Sequence, residues 1–418
     1  MENKLIDNKY NKFLYIDYNT PKLEPMLELY KGKLFSFLIK LFITDCVTTF
    51  GTEIFSIKKS YARTLTNILS SWIFSLYINY NFSKDYFFPE NYHDTELLEF
   101  TLRDLCKYND SLTNIEDKIN IVIKKLKENY KMQLDNLEQY KKADLYKNNK
   151  NNFKIVRTIV HLKNKDIEFY KFEIIVKFVI KDKRLLNILD NVLLPVKIYE
   201  KLEKIYTGDI NLINNYLWAV IFRYQLLGSN NHQLSVLPNI MHSMNKDYNL
   251  NFECFASCIN NTFNNYCSIY YDIEKYFGSY GSFFNITPLK GTFGFNPPYQ
   301  KDIIEIGINK LFYFLENNEE LTFIITIPIW DYEGRLYMKE KYNNELEKQN
   351  IDYGEFEIIN EIKTSKFYKH MKMIAKEEFT YIDHNFELYK NKTIQNTYVI
   401  LLSNYNIDIS FLDNYSFI

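Results

Sequence analysis

The sequence predicts two folded parts, a mainly α-helical domain over residues 1–245 and an α/β domain over residues 246–418. The length of 418 residues is sufficient for two domains with their own cores. Up to about residue 245 the apolar residues recur mostly at helical spacing, whereas short β-rich runs alternate with helical stretches after it. That alternation is typical of an α/β sheet.

In the first part, periodic apolar residues predict helices over 63–80, 97–108, 115–137 and 212–227. Residues 141–154 (KKADLYKNNKNNFK) are rich in Asn and Lys and lack a periodic apolar face. We therefore expect an exposed loop there.

In the second part, residues 300–315 and 336–349 have helical spacing. The run 321–329 (LTFIITIPI) is apolar on both faces, which predicts a central strand covered by helices on either side. The complete set of predicted strands is 251–255, 283–286, 291–295, 321–329, 354–359 and 397–402.

Charge and cysteine content exclude several classes of protein. The 51 basic and 52 acidic residues give a net charge of -1, so a nucleic-acid site would have to be a local patch. Five scattered cysteines do not suggest a disulfide framework or a metal cluster, and we see no secretory signal or membrane span. We expect an intracellular protein without a metal.

Residues 291–299 (GTFGFNPPY) combine a hydrophobic strand with the tetrapeptide Asn296, Pro297, Pro298 and Tyr299. Ligand sites in open α/β sheets lie beyond the carboxyl ends of strands, so the tetrapeptide falls where a substrate is expected. An ordinary strand-to-helix turn is the alternative, since Asn-Pro often begins a turn. The preceding strand and the following helix favour a functional motif.

The tetrapeptide suits the methylation of a flat amine. The lone pair of an adenine or amide nitrogen is delocalised, so a catalyst must localise it before methyl transfer. The Asn296 side-chain oxygen and the Pro297 carbonyl can accept the two N–H bonds, and Tyr299 can stack on the base. A sulfonium donor is already activated, so neither a metal nor a strong base is required.

The segments around the tetrapeptide resemble the cap-specific adenosine-N6 methyltransferases of the phosphorylated-CTD-interacting-factor family. The resemblance is collinear over about 150 residues. The matching segments are 252–257 (FECFAS), 266–268 (YCS), 276–279 (YFGS), 288–291 (PLKG), 321–330 (LTFIITIPIW), 365–370 (SKFYKH), 378–381 and 396–402.

The resemblance implies a Rossmann-type methyltransferase domain preceded by a helical domain, with S-adenosyl-L-methionine as the methyl donor. The implied substrate is the 5′ end of capped mRNA that starts with adenosine, methylated at N6 of 2′-O-methyladenosine. Asn296 to Tyr299 would bind both the donor and the target amine. The other donor-binding residues implied are Phe255, Ala256, Ser257, Asn260, Glu377, Glu378 and Phe379.

The resemblance also implies that Trp330 and Asp331 contact the capped dinucleotide, although the family has Trp-Arg-Glu there. We add Lys301 near the motif, and Arg63 and Arg103 because arginine is rare in this chain. Tyr299 replaces the Phe that is usual in the family and should still stack. We find no WW module, so we expect no docking to phosphorylated polymerase tails.

Three alternatives share the motif. The chain could methylate adenine in internal RNA or DNA, or a protein glutamine amide, but we find no glycine-rich donor loop before residue 296. It could also be an inactive RNA-binding subunit, in which the tetrapeptide is usually degraded. Here the tetrapeptide is intact.

Overall fold

The computed structural model describes residues 2–51, 61–79, 85–106, 113–149, 154–161, 167–175, 192–227, 233–342, 356–384 and 390–418. These form two compact units, one of Thr20–Asn230 and one of Met1–Asn19 with Asn231–Ile418. The division therefore lies near residue 231 instead of 245, and the first 19 residues join the later part of the chain. Local periodicity could not reveal this long-range pairing.

The helices are α1 (Pro25–Phe50), α2 (Tyr61–Asn79), α3 (Glu96–Cys106), α4 (Ile115–Lys142), α5 (Asp144–Asn149), α6 (Val196–Ile205), α7 (Ile213–Leu227), α8 (Pro238–Tyr248), α9 (Tyr271–Glu274), α10 (Lys301–Asn317), α11 (Tyr332–Tyr342), α12 (Ile358–Thr364) and α13 (Ser410–Asn414). The strands are β1 (Glu2–Asp7), β2 (Lys12–Asp17), β3 (Lys154–His161), β4 (Glu168–Ile175), β5 (Leu193–Pro195), β6 (Leu234–Val236), β7 (Leu250–Glu253), β8 (Ile286–Phe295), β9 (Leu321–Pro328), β10 (Tyr368–Ile374), β11 (Tyr381–Asp383), β12 (Lys390–Lys392) and β13 (Thr397–Ser403).

The Thr20–Asn230 unit combines helices with the antiparallel sheet β3-β4-β5. Its buried helix α7 brings Arg223 against Glu28 of α1, with Nε 2.9 Å from the carboxylate. The predicted loop over 141–154 is wrong, because α4 continues to Lys142, α5 follows, and β3 begins at Lys154. Residues 150–153 of that prediction lie outside the described part of the chain.

The second unit contains a mixed sheet in the order β1-β2-β8-β9-β13-β10, with β7 also paired to β8. Strands β7, β8 and β9 are parallel, and β13 runs antiparallel to both β9 and β10. The carboxyl ends of β7, β8, β9 and β10 consequently meet at one edge of the sheet. Side chains that follow these four strands are therefore close in space.

Strand β9 is buried along its whole length, which confirms the predicted central strand. Leu321, Phe323 and Ile325 face the cluster formed with α10 and α12, and Ile324 faces the cluster formed with α8. The predicted strand over 354–359 is wrong where it is described, because α12 begins at Ile358. Its apolar residues pack at helical spacing against the sheet.

The turn between β1 and β2 packs closely against β8 at Gly291. Gly291 has a φ of +114°, and a Cβ there would lie 2.5 Å from the Tyr10 carbonyl oxygen. The Asn11 side chain donates from Nδ2 to the Thr292 carbonyl at 3.0 Å. β2 pairs with the first half of β8 and β7 with the second, so one long strand supports both.

Lys310 gives the unit a testable pH dependence. Its Nζ lies 5.7, 5.6 and 5.4 Å from the ring centroids of Phe283, Phe284 and Phe314, and burial lowers the pKa of Lys310 to about 8. Between about pH 8 and pH 10 the Lys310 amine therefore binds more protons in the unfolded state than in the folded one, so the contribution of this residue to stability rises with pH. We expect Lys310 to contribute a gain of about 2 kcal/mol to the free energy of unfolding over that range.

Urea unfolding of the Lys310→Met variant at both pH values checks this effect. The variant should be more stable than the wild type at the lower pH and should lose this part of the pH dependence. An equal gain in both proteins would show that Lys310 is not the cause.

Candidate active site

The tetrapeptide lies between the end of β8 at Phe295 and the start of α10 at Lys301. Pro297 is buried, whereas Asn296 and Tyr299 are half-buried. The Pro298 carbonyl accepts the Gln300 N–H at 2.7 Å, and the Gln300 carbonyl accepts the Ile304 N–H, in the first turn of α10, at 3.1 Å. The turn into the helix thus uses Pro298 and Gln300.

A pocket opens beside the tetrapeptide at the edge where the parallel strands end. It brings together Phe255, Ala256, Asn260 and Asn296, four residues that the sequence analysis assigned to the donor. In the described part of the chain, no side chain or backbone group hydrogen-bonds to the Asn296 amide. The full lining is Leu234, Ser235, Val236, Met241, Met244, Leu250, Glu253, Phe255, Ala256, Asn260, Gly294, Phe295, Asn296, Ile324 and Thr326.

The loop after β7 is held by buried polar contacts. The Asn260 Oδ1 accepts two hydrogen bonds from Ser257, one from its N–H at 2.6 Å and one from its hydroxyl at 3.1 Å. The Ser257 hydroxyl also lies 2.7 Å from the Gln233 Oε1. Ser257 therefore supports Asn260 without lining the pocket itself. The Glu253 Oε2 accepts the N–H groups of Thr262 and Phe263 at 2.7 and 2.8 Å.

Tyr299 lies among aromatic side chains. Its ring is edge-on to Trp330 and to Tyr381, each with centroids 6.4 Å apart. The hydroxyl groups of Tyr299 and Tyr381 are hydrogen-bonded. Burial raises the pKa of Tyr381 to about 12, so this tyrosine is neutral at physiological pH.

Trp330 and Asp331 follow β9 and are both buried. The Asp331 carboxylate accepts the Tyr398 hydroxyl at 2.9 Å and the Gly334 N–H at 2.8 Å. These contacts tie Asp331 to β13 and to the first turn of α11. The structure therefore gives Asp331 a clear role in holding the fold.

The segment after β10 reaches the same edge of the sheet. Glu377 and Glu378 are exposed on a single 3-10 turn, and the Asn396 Oδ1 accepts the Lys376 N–H at 2.9 Å. Phe379 is fully buried and stacks on Phe417 with centroids 5.0 Å apart. None of these three lines the pocket that contains Asn296.

The predicted basic residues have separate positions. Lys301 begins α10, with Nζ 3.8 Å from the Glu305 carboxylate. Arg103 pairs with Glu116, with Nε 2.6 Å from the carboxylate, and Arg63 is exposed on α2. Both arginines belong to the Thr20–Asn230 unit.

Sequence reasoning missed the wall formed by β6 and α8, including Ser235 and Met241, and it missed the partner of Tyr299. β6 is only three residues long and pairs with β11, which is distant in sequence. No local pattern could identify it. Thr326 could have been identified from the sequence, since it is a polar residue near the end of a fully buried strand.

The same region is matched in known proteins. A family model described as "Phosphorylated CTD interacting factor 1 WW domain" matches residues 196–351. This part of the chain is similar to the phosphorylated-CTD-interacting-factor family. The proteins named mRNA (2'-O-methyladenosine-N(6)-)-methyltransferase from Mus musculus and Homo sapiens are 33% and 32% identical to it over 121 residues.

The match covers 27% of this chain and 17% of each relative, so the chain spans about a sixth of the length of the curated relatives it matches. The expectation that the WW module is missing is wrong, because the matched model of the phosphorylated-CTD-interacting-factor family is described as its WW domain. The matched range includes β7, β8, β9 and the tetrapeptide.

Among the residues described, no group of three or more His, Cys, Asp or Glu side chains is placed to hold a metal ion. None of the described helices has both the length and the apolar character needed to cross a membrane.

Proposed function

We propose that this chain methylates N6 of the adenosine, as 2′-O-methyladenosine, that follows the 7-methylguanosine cap of mRNA. The observation that carries the proposal is the position of Asn296. Its side chain lines the pocket at the carboxyl edge of the parallel strands, and no described group occupies its amide. An acceptor is therefore available where a flat amine would enter.

The methyl donor in this proposal is S-adenosyl-L-methionine, whose sulfonium supplies an already activated methyl group. The pocket suits a nucleoside, because Met241, Met244 and Ile324 offer apolar surface and Asn260 and Thr326 offer polar groups. Since the Asn260 Oδ1 is engaged by Ser257, the Asn260 amide nitrogen is the atom left to donate to a ligand. Glu377, Glu378 and Phe379 would act from the neighbouring segment.

The chain's own residues prepare the amine. The Asn296 Oδ1 and the Pro297 carbonyl accept its two N–H bonds, which localises the lone pair and directs it toward the donor. The Pro298 carbonyl already accepts the Gln300 N–H, so we assign the second acceptor to the Pro297 carbonyl. Tyr299 fixes the plane of the base.

In the same proposal, the catalytic domain is of the Rossmann type and the preceding domain is mainly helical and supports RNA binding. Trp330 and Lys301 contact the capped end, while Asp331 positions the start of α11 by its bond to Gly334. Arg63 and Arg103 are the basic groups proposed for RNA. The substrate places the protein inside the cell, in the nucleus or the cytoplasm.

The proposal is tested by offering the protein labelled donor with three RNAs: capped with 2′-O-methyladenosine first, capped with guanosine first, and uncapped with adenosine first. We expect labelled N6-methyl only in the first, located by nuclease digestion and mass spectrometry. Equal labelling of the uncapped RNA would remove the cap from the proposal. Label in DNA or in a protein amide would replace it, and binding without label would indicate an inactive subunit.

A further inference from the structure

The hydroxyl of Tyr299 is hydrogen-bonded to a buried residue. Its partner is the Tyr381 hydroxyl, and Tyr381 is 1% exposed. Tyr381 lies on β11, which pairs with β6 on the far wall of the pocket. A residue of the motif is thus bonded to an element that is remote in sequence.

Tyr381 is itself fixed by two neighbouring side chains. Its hydroxyl lies 3.4 Å from the Thr397 Oγ1, at the start of β13, and that hydroxyl donates to the Gln395 carbonyl at 3.1 Å. The Tyr381 ring packs against Phe379 with centroids 4.6 Å apart. Tyr381 therefore offers Tyr299 a rigid point of attachment.

The orientation of the Tyr299 ring depends on the hydrogen bond to Tyr381 as well as on its ring contacts. The edge-on contacts to Trp330 and Tyr381, at interplanar angles of 79° and 81°, define the ring plane, and the hydroxyl bond opposes rotation out of it. Tyr299 is only half-buried, so packing alone does not enclose it.

We propose that Tyr381 is a positioning residue that sets the plane of the Tyr299 ring, and through it the plane of the target base. This inference rests on the proposed function. Methyl transfer needs the nitrogen lone pair in line with the breaking bond, so a tilt of the base lowers the rate of the chemical step. The base still enters the pocket, so its binding changes less.

The test compares the Tyr381→Phe, Tyr299→Phe and double variants with the wild type on the capped RNA. Each single variant removes one side of the same hydrogen bond, so each should lower kcat by about three- to ten-fold. KM should stay within about two-fold. The double variant should lose no more than either single variant, because the bond is already broken.

The matched control is Tyr415→Phe, which also removes one tyrosine hydroxyl and one hydrogen bond, to Asp247 at 2.7 Å. Its kcat should equal that of the wild type, and thermal melting of all variants separates a rate effect from loss of fold. Should Tyr381→Phe fold poorly, Tyr299→Phe alone gives the answer, since it restores the Asn-Pro-Pro-Phe sequence usual in the family.

Three results would overturn the inference while leaving the proposed function intact. They are wild-type kcat in Tyr381→Phe or Tyr299→Phe, losses that multiply in the double variant, and an equal loss in Tyr415→Phe. If the wild type itself transfers no label to capped RNA, the proposed function fails instead. The two failures are therefore distinct.

Discussion

Replacing Asn296 by Ala is expected to lower kcat for methylation of capped RNA by about 10²- to 10³-fold, with the fold unchanged. Asn296 is half-buried on the pocket wall, and its amide has no hydrogen-bond partner among the residues described. Its removal should therefore cost little stability, but it deletes one of the two acceptors that reshape the amine. Labelled-donor turnover and thermal melting measure the two effects.

Asn296→Asp separates the acceptor from the shape of the side chain. The carboxylate keeps an acceptor oxygen in the same place, so this variant should retain more activity than Asn296→Ala. Asn309→Ala, on the exposed side of α10, should behave as the wild type. Wild-type turnover in Asn296→Ala would remove this residue from the reaction and with it the basis of the proposed function.

The tetrapeptide and the central strand could be predicted because their information is local. The apolar run of β9 and the Asn-Pro-Pro-Tyr sequence after β8 both depend on consecutive residues, and the structure places the tetrapeptide directly after β8. The pairing of β2 with β8 depends on residues about 270 positions apart along the chain. Periodicity within a short window contains no information on such a pair.

The residues hardest to assign from sequence are carboxylates that could either bind a ligand or hold the fold. Asp331 follows a central strand, where ligands commonly lie, yet its carboxylate is bonded to Tyr398 and Gly334. Glu253 is the last residue of β7, and the alternation of side chains along a strand does not decide from sequence which way such a terminal residue points. Only the neighbours of each carboxylate reveal which use it has, and those neighbours come from distant segments.

The second large effect is expected from substitution of Glu253. Replacing it by Ala should lower the free energy of unfolding by about 2–4 kcal/mol, because the N–H groups of Thr262 and Phe263 lose their carboxylate acceptor. Glu253 is 8% exposed, so solvent cannot easily replace it. The loop it holds includes Phe255 and Asn260, so affinity for S-adenosylmethionine should also fall.

Urea unfolding and calorimetric titration with S-adenosylmethionine measure the two losses, and Glu253→Gln separates charge from geometry. The amide keeps one oxygen to accept the N–H groups, so this variant should lie between Glu253→Ala and the wild type. Glu316→Ala is the control, since it breaks only an exposed ion pair with Lys366 at 2.7 Å. If Glu253→Ala unfolds at the same urea concentration as Glu316→Ala, the carboxylate does not hold this loop, and the loop depends on its other contacts, among them those between Ser257 and Asn260.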